Sequence, residues 1–141
     1  MMNKKFETKK VQVLIYSFTE GCIKCLCLKR NKKDGGFWHV LTGTLEDNEK
    51  NEECIKREVN EELGFVDILS ISAELKEWVW IKDLEEILVI DFVVCINKLN
   101  LILNNEHTEY CWLSPKEAYA IYEKESAKEM LLLLKEYLFY L

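Results

Sequence analysis

Proline and glycine are scarce in this chain, and a long hydrophobic run is missing. Its 141 residues include one proline and five glycines, which excludes a collagen-like repeat or a Pro/Gly linker. The longest apolar run, residues 87–96, is interrupted by Asp91 and is too short to span a bilayer. The first ten residues are polar and basic, with no apolar signal core. The sequence therefore predicts a cytoplasmic protein with no membrane partner.

Positive charge is also in deficit. Lys and Arg number 19 against 25 Asp and Glu, giving a formal net charge of −6. This balance disfavours nucleic acid as a partner, although divalent cations can bridge an acidic protein to a polyanionic substrate. With 49% hydrophobic and 31% charged residues, the chain is predicted to fold as one domain over residues 1–141.

Six cysteines invite either a disulfide or a zinc interpretation. Cys22, Cys25 and Cys27 have the spacing of half a zinc site, but the sequence has no second CxxC and no His pair to complete four ligands. In a reducing compartment, free thiols behave as small apolar residues. We therefore predict free cysteines and no zinc.

Hydrophobic periodicity predicts strands before and after one clear helix. Val11, Val13 and Ile15 alternate as in a strand. Further strands are predicted over residues 22–29, 67–72, 75–81, 86–96 and 109–113. Ile55, Val59 and Leu63 recur every fourth residue and predict a helix over Asn51–Leu63.

Gly64 follows this helix at a position typical of a C-terminal cap. A second apolar stripe predicts a final helix over residues 126–140. The order of strands, helix, strands and helix favours an α/β (α+β) sandwich with a mixed sheet.

Three carboxylates share one face of the predicted helix. Glu58, Glu61 and Glu62 lie at positions i, i+3 and i+4 beside the apolar stripe, so we expect them to be partly desolvated. Like charges at this spacing destabilise a helix by about 0.2–0.5 kcal/mol per pair. Binding of a hard divalent cation by the three carboxylates would explain the arrangement. A solvated acidic face is the alternative. Arg57, which can hold a carboxylate, and Gly43, whose carbonyl can approach a metal, favour the cation site.

The segment from Gly43 to Phe65 resembles the Nudix box. That pattern is Gly, five residues, Glu, seven residues, Arg-Glu, an apolar residue, any residue, Glu-Glu, any residue, Gly and an apolar residue. Every defined position is filled, by Gly43, Glu49, Arg57, Glu58, Val59, Glu61, Glu62, Gly64 and Phe65. The resemblance to the Nudix (MutT-like) hydrolase family implies an α/β/α sandwich over most of the chain. It also implies hydrolysis of a diphosphate bond.

The resemblance assigns roles by position. It implies Mg²⁺, with Mn²⁺ as an alternative, held by Gly43, Glu58, Glu61 and Glu62. Arg57 belongs with the catalytic group and, together with Glu49, would orient the helix and the loop before it. The general base is left open between Glu58 and Glu106, with Glu109 and His107 close to the latter in sequence.

Two departures from the family pattern stand near the box. Many relatives have Leu-Pro-Gly-Gly where this chain has Leu41-Thr42-Gly43-Thr44. Lys50 stands where a capping Ser or Thr is common, so we expect the helix to be capped less well at its N-terminus.

The Thr-Gly phrase and the segment from Glu106 to Leu113 resemble one subgroup of the family. That subgroup removes pyrophosphate from dihydroneopterin triphosphate or from deoxynucleoside triphosphates such as dATP, leaving the monophosphate. Within a basic stretch, Arg30 is a candidate contact for the triphosphate, and Trp38 is a candidate to stack on the ring. Trp78 and Trp80 are further candidates, with core packing as their alternative.

Other functions remain open from sequence. A hydrolase of diadenosine polyphosphates or of RNA 5′ ends is one, although such relatives usually have a proline before the box. A non-catalytic nucleotide-binding regulator is another, although it would be expected to lack one of the metal glutamates. The apolar C-terminal segment, residues 131–141, predicts either a homodimer contact or packing beneath the sheet.

Overall fold

The structure is a computed structural model that describes residues 5–97 and 100–139. The strands are β1 (Thr8–Thr19), β2 (Cys22–Arg30), β3 (Trp38–His39), β4 (Leu41–Thr44), β5 (Ile68–Ile71), β6 (Lys76–Lys82), β7 (Glu85–Ile96) and β8 (His107–Leu113). The helices are α1 (Asn51–Leu63), α2 (Pro115–Ile121) and α3 (Glu125–Phe139), with a single 3₁₀ turn at Lys32–Asp34. The predicted bounds of α1 are confirmed, and α3 begins one residue earlier than predicted. Tyr140, its predicted last residue, lies outside the described residues.

The strands form a mixed sheet centred on β1. This strand pairs antiparallel with β2 and β4 and parallel with β7. The path runs β3-β2-β1-β7-β5, with β8 added to β2 and β6 added to β7. Because β1 is covered on both faces, its core residues are buried without interruption from Val11 to Ser17. The predicted mixed sheet is therefore confirmed.

Helices cover both faces of the sheet, as an α/β/α sandwich requires. On one face, Ile55, Val59 and Leu63 of α1 pack against Val11 and Val13 of β1. On the other face, α2 and α3 pack on residues of β1 and β2, including Leu14, Tyr16, Cys25 and Cys27. Tyr122, at the end of α2, donates a buried hydrogen bond to the carbonyl of Leu26 at 2.9 Å, which ties this helix to β2.

Helix α2 was not predicted from the sequence, which indicated only the strand over residues 109–113 in this region. The Ser114 hydroxyl accepts from the Glu117 N–H, and the Glu117 carboxylate accepts from the Ser114 N–H. With Pro115 in the first turn, this is a complete capping box. Seven residues are too few to display a hydrophobic period, so the cap was the only available signal.

The start of α1 differs from this arrangement, as Lys50 predicts. No side chain caps the helix at Lys50, although the Glu53 carboxylate accepts from the Lys50 N–H at 2.9 Å. At the other end, Gly64 adopts φ 79°, a left-handed value that glycine accommodates at low cost.

One side of the C-terminal apolar segment, over the described residues 131–139, packs beneath the sheet. Leu131 and Leu134 of α3 are buried, while Leu132 and Phe139 are exposed at 58% and 77%. The homodimer contact stays a prediction. In the described part of the chain, no helix combines the length and the apolar character needed to cross a membrane.

Candidate active site

Helix α1 turns two of the three candidate metal-binding glutamates inward. The Glu58 side chain retains 12% of its exposure, and Glu62 is buried at 1%. Glu61 points away from the apolar stripe of α1, and 53% of its side chain is exposed to solvent. The expectation that all three acids are partly desolvated is therefore wrong for Glu61, which lies at the solvent edge of the face.

Gly43 brings strand β4 against the Glu58 side chain. It pairs with Val11 of β1, so its position is fixed by the sheet. A Cβ atom placed on Gly43 would lie 2.6 Å from Cδ and 2.9 Å from Oε1 of Glu58. Glycine is thus required here because a carboxylate occupies the space in which any side chain would begin.

Arg57 connects several parts of the Nudix box through hydrogen bonds. Its Nε and Nη2 donate to the two oxygens of Glu49 at 2.8 and 2.9 Å, a bidentate pair. Its Nη1 donates to Glu58 Oε1 at 2.9 Å, and Nη2 also donates to the carbonyl of Thr44 at 2.9 Å. The guanidinium holds the pKa of Glu49 down to about 2. Arg57 therefore joins the loop, β4 and the Glu58 carboxylate, as the orienting role requires.

The third element of the site comes from the start of β8. Ligand atoms of Glu62, Glu106 and His107 lie within 4.8 Å of one another. Glu62 Oε2 and both ring nitrogens of His107 are buried and, among the described residues, make no hydrogen bond. Unpaired buried polar atoms are costly, so this cluster calls for a further partner.

The position of Glu106 is well determined. Its N–H donates to Asn104 Oδ1 at 3.0 Å, and its carbonyl accepts from the Asn31 N–H at 3.1 Å. By contrast, the Glu109 carboxylate lies 3.5 Å from Lys29 Nζ, on the other side of the strand pair. The structure thus separates two acids that the sequence left together, since only Glu106 joins Glu62.

The electrostatics of the glutamates fit a divalent cation. Burial, followed by a hydrogen bond to Glu106, raises the pKa of Glu62 to about 10. The same interaction lowers the pKa of Glu106. Burial also raises the pKa of Glu58. A divalent cation, which prefers oxygen ligands, would favour the ionised forms of these carboxylates.

A cavity of about 300 Å³ opens on the face of the sheet covered by α3. Its lining includes Lys10 and Gln12 of β1, Trp78 and Trp80 of β6, and Arg30 at the end of β2. Burial lowers the pKa of Lys10, and the charges of Glu106 and Glu58 oppose that fall. Burial raises the pKa of Glu62, and the charge of Arg30 opposes that rise. The basic side chains of Lys10 and Arg30 therefore line the cavity and also interact electrostatically with the carboxylates.

Of the two predicted substrate contacts, one lies at this cavity. Arg30 lines it and donates from Nη2 to Thr42 Oγ1 at 2.9 Å, while its buried Nε finds no acceptor in the described residues. Trp38 packs instead with the core beneath α2 and α3, with Lys29 Nζ 5.8 Å from its ring centroid. The cavity is lined by the aromatic pair Trp78 and Trp80. The stacking role of Trp38 stays a prediction that its position does not support.

Several cavity residues were missed. Lys10 and Gln12 alternate with Val11 and Val13, so their shared face was visible in the sequence. What the sequence did not show is that the first residues of α3, Glu125 and Ser126, line the cavity on that face.

The comparisons with known proteins agree with this geometry. The NUDIX domain family model matches residues 8–134. Nucleoside triphosphatase NudI of Salmonella heidelberg is 30% identical over 129 residues, which cover 82% of this chain and 89% of that protein.

Solved structures show the same fold. A C. elegans Ap4A hydrolase binary complex superposes with a TM-score of 0.78 at 18% identity, covering 95% of this chain and 99% of that one. The E. coli dihydroneopterin triphosphate pyrophosphohydrolase gives 0.67 at 20%, covering 87% and 91%. The family match spans most of the chain and contains every position of the Nudix box. The chain belongs to the NUDIX domain family and is a Nudix hydrolase.

Proposed function

We propose that this Nudix hydrolase is a Mg²⁺-dependent pyrophosphohydrolase that converts a nucleoside or pterin triphosphate into its monophosphate and pyrophosphate. The observation that carries the proposal is the adjacency of two features. An aromatic cavity suited to a heterocycle, lined by Trp78 and Trp80, is also lined by Lys10 and Arg30, which interact electrostatically with the acids of α1. The curated relatives named nucleoside triphosphatase support the same substrate class.

The acids of α1 are the proposed cation ligands. Glu62 is buried and Glu58 keeps 12% of its side chain exposed, and Glu61 and the Gly43 carbonyl would complete the set from the edge. A bound cation would neutralise the phosphates and lower the pKa of an attacking water.

The remaining steps fall to the chain's own groups. Arg30 and Lys10 face the triphosphate and offset its charge, which orients the scissile bond toward the acids. Glu106 is the favoured general base, since it lies beside Glu62 and His107 and outside the Arg57 network that restrains Glu58. An ionised carboxylate within reach of the attacking water can take its proton.

A substrate panel tests the proposed function. Phosphate products are measured with and without Mg²⁺ for the deoxynucleoside triphosphates, dihydroneopterin triphosphate, a diadenosine polyphosphate and 5′-triphosphorylated RNA. We expect Mg²⁺-dependent release of pyrophosphate from a monomeric triphosphate. A diadenosine polyphosphate as the best substrate, split into two nucleotides, would replace the proposal with the dinucleotide alternative. Nucleotide binding without turnover would replace it with the regulator.

Glu106→Gln tests the proposed base. We expect kcat to fall by about 10²–10³-fold, because an amide cannot accept the proton of water. The affinity for Mn²⁺, measured by electron paramagnetic resonance, should change by less than about threefold if Glu106 acts mainly as the base. A parallel loss of Mn²⁺ affinity would make it primarily a ligand.

Glu109→Gln is the matched control for this variant. It removes the same charge two residues away from His107, at a carboxylate that pairs with Lys29 on the other side of the strands. Its kcat should stay within about twofold of the wild type. Equal losses in the two variants would contradict the separation of Glu106 from Glu109.

A further inference from the structure

A buried acid lies behind the wall of the cavity, away from the cation ligands. Asp91 of β7 is 1% exposed and interrupts the most apolar strand of the chain. Its neighbour across the sheet is Gln12 of β1. The nearest basic side chain on the adjacent strand, Lys76, is bound to Glu129 at 2.6 Å. Asp91 is thus a buried carboxylate held by neutral donors.

The donors that reach Asp91 are two residues that line the cavity. Trp78 Nε1 donates to Asp91 Oδ1 at 2.9 Å, and Gln12 Nε2 donates to the same oxygen at 3.2 Å. Burial raises the pKa of Asp91 to about 6, and the hydrogen bond from Trp78 opposes that rise. At neutral pH the carboxylate is mainly ionised and accepts hydrogen bonds.

Asp91 therefore determines how two side chains face a ligand. The indole of Trp78 cannot turn without losing its hydrogen bond to Asp91. The amide of Gln12 must direct its NH₂ group toward the carboxylate, which turns its carbonyl oxygen toward Ser126. The Ser126 hydroxyl donates to that oxygen at 3.4 Å, and Ser126 also lines the cavity. A carbonyl oxygen has a second lone pair to offer a ligand.

Fold stability does not explain this arrangement. A buried carboxylate costs free energy even when hydrogen bonded, and an apolar residue of similar size is often neutral or stabilising at such a site. The adjacent β7 positions that face the same layer, Val89 and Val93, are apolar. A role in the cavity accounts for the one exception between them.

We infer that Asp91 is a positioning residue for heterocycle recognition, which fixes Trp78 as a stacking surface and the Gln12 carbonyl as an acceptor for an N–H group of the substrate ring. The preferred substrates are triphosphates whose aromatic heterocycle carries an amino group on the edge that meets Gln12. The inference rests on the proposed function for the triphosphate part of the substrate. The preference for the heterocycle is argued separately, from the contacts of Asp91 with Trp78 and Gln12 at the cavity.

Asp91→Asn tests the inference, because it keeps the shape but allows the Gln12 amide to turn over. Two matched pairs of substrates differ by one amino group: ATP with purine riboside triphosphate, and GTP with inosine triphosphate. In the wild type, kcat/KM should favour the amino member of at least one pair by about tenfold or more. In the variant that ratio should fall toward one, mainly through KM, with kcat within about threefold of the wild type.

Ser72→Ala is the control for a general loss of packing. The Ser72 hydroxyl is buried and accepts a hydrogen bond at 3.0 Å from the N–H of Val93, which lies in β7 like Asp91. Ser72 does not line the cavity. This variant should lower the melting temperature and leave the substrate ratio unchanged. Trp78→Phe, which keeps an aromatic ring and loses the donor, should lower the ratio as Asp91→Asn does.

The outcomes separate this inference from the proposed function. An unchanged ratio in Asp91→Asn, or no preference within either pair in the wild type, overturns the inference while triphosphate hydrolysis stands. If the wild type hydrolyses none of the four triphosphates, the proposed function fails. The inference is then judged by quenching of tryptophan fluorescence by adenosine and purine riboside. A wild-type preference for adenosine that Asp91→Asn abolishes supports it, and equal quenching overturns it.

Discussion

Glu58→Gln should lower kcat by about a thousandfold or more and leave the fold intact. The side chain lies where α1, β4 and Arg57 meet, with Oε1 2.9 Å from Arg57 Nη1. Glutamine can still accept that hydrogen bond, so the local structure survives. It cannot supply the negative charge that a bound cation needs, and charge stabilisation of this kind contributes several kcal/mol to the barrier of phosphoryl transfer. Steady-state kinetics and a thermal melt are the measurements.

Glu52→Gln is the control for this loss. It removes the same charge from the first turn of the same helix, where Glu52 pairs only with Lys56 at 3.1 Å among the described residues. Its kcat should remain within about twofold of the wild type, because exposed pairs at this spacing contribute little. A similar loss in both variants would mean that the net charge of α1, and not a ligand position, controls the rate.

Glu61→Gln gives a finer test of the same face. The sequence placed Glu61 with the metal ligands, and we expect its replacement to lower turnover by orders of magnitude. The structure adds a reason to compare it with Glu58, since Glu61 is half exposed and lies 3.4 Å from Arg57. If Glu61→Gln keeps the wild-type kcat while Glu58→Gln is inactive, the metal ligands are limited to the buried acids.

The box itself could be read from the sequence because its geometry is local. In a helix, the four-residue spacing of Glu58 and Glu62 places both on one side regardless of the surrounding fold. The same spacing fixed the bounds of α1 through Ile55, Val59 and Leu63. The spacing could not predict how deeply each glutamate side chain is buried. Glu61 differs from Glu62 by one position, and that rotation carries it out to solvent.

The partner of the box was harder to predict because it depends on strand register. Strand β8 pairs with β2, and the register shifts between Lys29 and Arg30. This irregularity puts Arg30 opposite His107, although regular alternation from the Lys29–Glu109 pair would not. The result is that His107 is buried beside Glu62 while Glu109 faces away. A pattern of period two cannot reveal a bulge.

The ring-binding side of the cavity shows the same limit. Trp78 and Trp80 are two residues apart in β6 and therefore share a strand face, as their register on β7 shows. Strand β3 has two residues, which is too few for any pattern to show which way Trp38 points. Asp91 was visible only as an interruption of an apolar run. Its meaning depends on Gln12, which lies opposite it through the parallel pairing of two distant strands.

Gly43→Ala should lower kcat by about a hundredfold, although it adds only a methyl group and removes no proposed ligand side chain. The new methyl would overlap Cγ of Glu58 and come within 2.6 Å of its Cδ. Strand β4 cannot retreat, because Gly43 is paired with Val11 in the middle of the sheet. The Glu58 side chain must therefore leave its position, and a carboxylate misplaced by about 1 Å costs about this much in rate. Overpacking should also lower the free energy of unfolding by about 1–3 kcal/mol.

A double-mutant cycle isolates the cause of that loss. In the background of Glu58→Ala the atoms that clash with the new methyl are gone, so Gly43→Ala should cost almost no stability there. Chemical denaturation of the wild type, both single variants and the double variant gives the coupling free energy directly. A coupling of about 1 kcal/mol or more is expected. If the stability loss is the same in both backgrounds, the glycine serves the backbone of β4 alone, and the space it leaves is not what holds Glu58 in place.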